Sequence, residues 1–72
     1  MYTDSYTQFA VRSAKSAFSQ AGFPTAEASA RGEQTVAFIL DNLNDFVAEY
    51  GTDDLMDLAN MVAKDAIKQM NN

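Results

Sequence analysis

Apolar side chains recur at helical spacing along most of the chain, and three stretches carry the pattern. From about Ser5 to Gln20, the residues Tyr6, Ala10, Ala14, Ala17 and Ala21 form one stripe, widened on one side by Val11 and Phe18. The stripe is mostly alanine, so a neighbouring helix can approach it closely. Arg12, Lys15, Ser16 and Ser19 take the far face. Thr3 or Asp4 can cap this helix and Gly22 can end it.

Gly22-Phe23-Pro24-Thr25 reads as a connector, because proline disfavours helix at the residue before it and Thr25 is a good N-cap. Phe23 is placed to plug the turn. The second helix is expected over about Ala26–Tyr50, with Val36, Ile39, Leu40, Leu43, Phe46, Val47 and Tyr50 on one face. Gly32 is its expected weak point, since glycine inside a helix costs about 1 kcal/mol relative to alanine. Either the helix tolerates Gly32 or it breaks there, and one continuous helix is the favoured reading.

Gly51 ends that helix and Thr52 is expected to cap the third, which runs over about residues 53–70. Asp53 and Asp54 at its start and Lys64 and Lys68 near its end complement the helix dipole. Its apolar positions, from Leu55 and Leu58 through Val62 and Ile67 to Met70, cover about half the wheel, wider than one neighbour requires. This helix is therefore expected either at the centre of a bundle or across a subunit interface.

Two short connections imply up-down-up neighbours. The fold class expected is all-α: a small antiparallel three-helix bundle, a single domain over residues 1–72, completed by homodimerisation. Size supports the last point, because a domain near this length buries only about 60% of its unfolded surface. Small folds add disulfides, a metal or a partner subunit. With no Cys and no His in 72 residues, the first two have no support. The expected oligomer interface is Leu55, Leu58, Val62, Ile67 and Met70.

Composition narrows the function classes. The chain is 47% hydrophobic and 21% charged, as globular proteins are. Its longest apolar run, Val36–Leu40, is far short of a membrane span, and MYTDSYTQ has no signal-peptide character. A cytoplasmic location, in a prokaryote or a phage-infected cell, is the expectation. A net charge of −5 argues against direct binding to nucleic acid or to an anionic membrane. The absence of His removes the commonest general base and metal ligand.

Candidate chemistry is sparse. Asp41-Asn42-Leu43-Asn44-Asp45 has the oxygen density of a calcium loop, but Leu43 takes a ligand position and Phe46 the position of the required glycine. Gly51–Leu55 is only faintly similar to the Asp-Ser-Leu element of acyl carrier proteins: Asp54 stands where the serine that carries the prosthetic group would be and the element lies too late in the chain, so the chain is not read as one of them. Asp41, Asp45 and Glu49 recur every four residues and read as a solvated stripe rather than an acid–base pair in a pocket. No catalytic residue, metal ligand or cofactor is expected, and the chain reads as a non-enzyme.

Two residues break the amphipathic pattern, which is where function tends to show. Phe38 falls on the polar face of the second helix, and Met61 among Asp57, Asn60, Lys64 and Lys68 on the third. From Asp41 to Asp57 the sequence holds six acidic residues (Asp41, Asp45, Glu49, Asp53, Asp54 and Asp57) and no basic one. An aromatic anchor among carboxylates suits a partner with a basic rim and an apolar pocket. The expected partner-binding residues are Phe38, Asp41, Asp45, Glu49 and Met61, and the expected partner is a basic protein, such as one that binds nucleic acid. A phage-type inhibitor is the leading reading. A helical assembly protein and a DNA-binding regulator are the second and third.

Overall fold

A computed structural model describes residues 4–70, and among them the chain is all helical: α1 Asp4–Gln20, α2 Thr25–Asp41, α3 Leu43–Tyr50 and α4 Leu55–Met70. Four helices replace the expected three. The helix expected over 26–50 passes through Gly32 unbroken and breaks instead at Asn42.

Each boundary has a local cause. At the end of α1, the Phe23 amide donates to the Phe18 carbonyl and the Gly22 amide to the Ser19 carbonyl. Gly22 adopts φ 103°. This is a Schellman closure, and its hydrophobic clasp is Phe18 edge-on to Phe23 at 5.5 Å between ring centroids. Phe23 is thus the expected plug. Pro24, not Thr25, occupies the N-cap of α2, and Thr25 is already helical.

At Asn42 the backbone leaves helical geometry (φ −130°, ψ 35°) and its amide bonds to Ile39, three residues back. The Phe38 carbonyl thereby loses its usual partner, the amide four residues on. The Asn42 side-chain amide replaces it, donating to that carbonyl at 3.0 Å. The Phe46 amide then bonds to the Asn42 carbonyl and α3 begins. One asparagine closes α2 and opens α3.

Gly51 closes α3 in the left-handed region (φ 73°), as its position in the sequence indicates. The cap of α4 is Asp54 rather than Thr52. Asp54 Oδ1 accepts the Met56 amide at 2.9 Å, and its carbonyl accepts the Leu58 amide. Thr52 supports that cap from outside, its hydroxyl accepting the Asp54 amide at 3.2 Å.

The α1 helix packs extensively on both α2 and α4, and α4 touches all three other helices. The breadth of the apolar face on α4 is therefore used within the chain. The α1–α2 seam is built from small residues: Ala10, Ala14, Ala17 and Ala28 are buried, and so is Gly32. A Cβ on Gly32 would lie 3.0 Å from the Lys15 backbone nitrogen and 3.1 Å from the Val11 carbonyl oxygen. Gly32 is thus a point of close backbone approach, not a break in the helix. Ala21, expected on the buried stripe, is exposed because the Schellman closure carries it out of the seam.

The large buried side chains are few: Phe18, Val36, Ile39, Leu55 and Leu58. Leu55 and Leu58 have no exposed surface, so they belong to this chain's own core and offer nothing to a subunit interface.

Candidate functional site

The break at Asn42 shapes the face where α2, α3 and α4 meet. In an unbroken helix, Phe38 and Phe46 would be separated by about 12 Å of axial rise. With α3 folded away from the axis of α2, their rings meet edge-to-face at 5.4 Å. Phe46 stacks in turn on Tyr50 at 6.1 Å. The result is an aromatic tier that crosses the α2–α3 junction. Phe38 heads it at 57% exposed, while Phe46 and Tyr50 are half-buried against the core.

Phe38 stands between two grooves that share a floor of Val62 and Ala66 from α4. The first groove, about 260 Å³, is mostly apolar and is walled by Phe18, Thr35 and Met70, with Arg31 at its edge. Arg31 is held in place by Glu27 at 3.0 Å and by the Phe23 ring, 4.9 Å from the guanidinium carbon. The second groove, about 310 Å³, has Phe46 and Tyr50 as its aromatic wall and Glu49 and Asp65 as its charged groups. Among the described residues, no basic one lines this second groove.

Tyr50 ties α3 to α4 across the second groove. Its hydroxyl donates to Asp65 Oδ2 at 2.5 Å. That hydrogen bond, with burial and the charges of Asp65 and Glu49 adding to it, pushes the phenol up to about 12. Tyr50 therefore stays neutral and a donor at any physiological pH. A parallel clasp lies at the other end of α4. Tyr6 donates to Asp54 Oδ1 at 2.5 Å, and this bond, with the Met56 and Asp57 amides, holds the Asp54 carboxyl below its ordinary value against the opposing effect of desolvation.

The expected binding residues do not fall on one surface. Phe38 and Glu49 share the second groove. Asp41 and Asp45 line a different hollow at the α2–α3 junction, with Leu40 and Asn42–Asn44. The four-residue stripe expected on one straight helix is bent at Asn42: Asp41 and Asp45 share the junction hollow, and Glu49 lies apart from them in the second groove. Met61, expected exposed on the polar face, is half-buried and lines none of these grooves. Of the expected interface residues, Val62 and Ile67 pack against the core, and Met70 is 47% exposed beside the first groove.

Sequence reasoning placed Phe46 and Tyr50 only on an apolar helix face, and Asp65 and Phe9 escaped it altogether. Asp65 faces the aromatic tier only because α3 folds onto α4, and nothing in the spacing of the chain announces it. Phe9 is half-exposed, with the Arg12 guanidinium carbon 5.7 Å from its ring centroid. An Arg three residues after a Phe that lies between stripe and polar face was a readable signal for that contact.

Among the described residues, no group of three or more carboxylates could hold a metal ion, and no helix is long and apolar enough to cross a membrane. No protein-family model, curated protein or solved structure matches the chain.

Proposed function

We propose that this chain is a non-enzymatic protein-binding module whose Phe38 face docks a basic partner protein and occludes it, as a small phage-type inhibitor does. One observation carries the reading. An aromatic ring more than half exposed stands as a ridge between two grooves, backed by stacked rings, with carboxylates and, among the described residues, no basic group in the groove on the α3 side. Rigid aromatic anchors with complementary rim charge are what strong interface residues look like. The site residues are Phe38, Phe46, Glu49, Tyr50 and Asp65. Asp41 and Asp45 extend the negative field from the neighbouring hollow and speed encounter rather than hold the partner.

The test is capture of a partner from the native host cell by the wild-type chain and by Phe38→Asp. The wild type retains a basic protein and the variant loses it, while both give the same helical circular dichroism. Retention by both would place the binding surface elsewhere.

A second reading, self-association, has its own support. Met70 and Phe38 are both exposed and line the same apolar groove, which gives a second copy an apolar seat. The interface would consist of Phe38, Val62 and Met70, without Leu55 or Leu58. Light scattering that shows a dimer in the wild type and a monomer in Phe38→Asp would select this reading.

A further inference from the structure

Resting on the protein-binding reading, we infer that the groove between α3 and α4 is a subsite for a single arginine side chain of the partner, and that the groove on the other side of Phe38 takes an aliphatic side chain one helical turn away. The chemistry of the two grooves differs while their floor is shared. On the α3 side, Phe46 and Tyr50 offer stacked ring surface, and Glu49 and Asp65 offer carboxylates, so a planar cation finds both faces of its recognition in one place. On the α1 side, Phe18, Val62 and Met70 offer apolar surface.

The Tyr50–Asp65 hydrogen bond sharpens the choice of ligand. It occupies Asp65 Oδ2 with a neutral donor and fixes the carboxylate against the aromatic wall. The charge remains, and the bond holds it on the side of the aromatic wall. A guanidinium stacks on a ring while it donates in its own plane to carboxylates, which a compact ammonium cannot do. Arginine is therefore favoured over lysine. Phe38, Val62 and Ala66 line both grooves, so the subsites adjoin across one side chain, and two side chains a turn apart on one helix are the simplest element to enter both. The partner element is a basic amphipathic helix that straddles Phe38.

The probe is an alanine-based helical peptide that carries one Leu and one Arg a single turn apart, titrated into the isotopically labelled full chain. Amide and ring shifts are expected at Phe46, Glu49, Tyr50 and Asp65 together with Thr35 and Met70. Replacing the peptide's Arg by Gln should weaken binding about tenfold, and by Lys about threefold. Glu49→Gln in the protein, an exposed position that leaves the core intact, should weaken the Arg peptide about threefold and leave the Gln peptide unchanged.

Equal binding of the Arg and Gln peptides overturns the inference, as do shifts confined to other surfaces. Identical shifts from spermidine at the same concentration overturn it too, because the groove would then be a general cation site. Failure of the two readings is distinguishable. If Phe38-dependent capture of a host protein persists while the Arg peptide leaves Phe46 and Tyr50 unmoved, the subsite falls and the binding reading stands. If capture is indifferent to Phe38→Asp while the peptide shifts appear, the subsite stands without that partner.

Discussion

The α1–α2 seam and the face that α3 forms with α4 are built on opposite plans. The seam uses the smallest side chains in the chain and closes until backbone meets backbone at Gly32. The other face uses three large rings and stays open, with Phe38 standing out between two grooves. The first arrangement gains contact by bringing helix axes together. The second packs Phe46 and Tyr50 against the core and leaves most of the Phe38 ring in solvent, the feature on which the proposed binding reading rests. Under the proposed reading, recognition falls on the open face, with Phe18 as the core residue that reaches into its first groove.

The largest effect should come from the shared core on which both regions rest. Leu58 has no exposed surface, and Leu58→Ala should cost about 3 kcal/mol in chemical denaturation, a large part of the stability of so small a domain. Next comes the seam. Gly32→Ala gains about 1 kcal/mol of helix propensity, yet places a methyl against the α1 backbone, where overpacking costs about 1–3 kcal/mol. A net loss near 1 kcal/mol is expected, seen as a fall in Tm of about 4–8 °C. A rise in Tm would show that the seam is looser than its geometry indicates.

The open face responds differently. Asn42→Ala removes the side-chain bond to the Phe38 carbonyl and favours a continuous helix, at a stability cost of about 1 kcal/mol or less. Its informative readout is the loss of nuclear Overhauser contacts between Phe38 and Phe46. The two tyrosine clasps answer to pH in opposite directions. The Asp54 carboxyl titrates lower in the folded chain than its ordinary 3.8, so its stabilising effect is complete above that pH and is lost as the pH falls through the lowered value. Thermal melts should show Asp54→Asn insensitive to that part of the acid loss. Tyr50 titrates higher than its ordinary 10.0, so its effect is complete below that pH and fades as the pH rises toward about 12. Absorbance titration of tyrosinate should lose its component near pH 12 in Tyr50→Phe.

The smallest effect on stability belongs to Phe38. Phe38→Ala forfeits one edge-to-face contact, about 1 kcal/mol at most. Its effect on partner capture should be the greatest of any substitution on that face, and this contrast is the sharpest check on the comparison of the two regions.

Period and punctuation alone determined the all-helical fold, the connector at Gly22–Pro24, the stop at Gly51 and the exposure of Phe38. These are local properties: side-chain spacing sets which face is apolar, and glycine permits the positive φ at which a helix can close. The bend at Asn42 was not legible, because the apolar spacing runs through it from Val36 to Tyr50 and an asparagine is tolerated within a helix as well as at its end. Only when α3 folds back onto α4 does the competition between the Asn42 side chain and its backbone resolve toward the cap. The same fold reversed the meaning of Gly32, from weak point to close contact, by placing α1 against it. It also brought Asp65, fifteen residues from Tyr50, to the aromatic tier, and drew Leu55 and Leu58 into the chain's own core. Which residues meet across helices depends on how the helices cross, and a one-dimensional pattern specifies a helix's apolar face without specifying the neighbour it will meet.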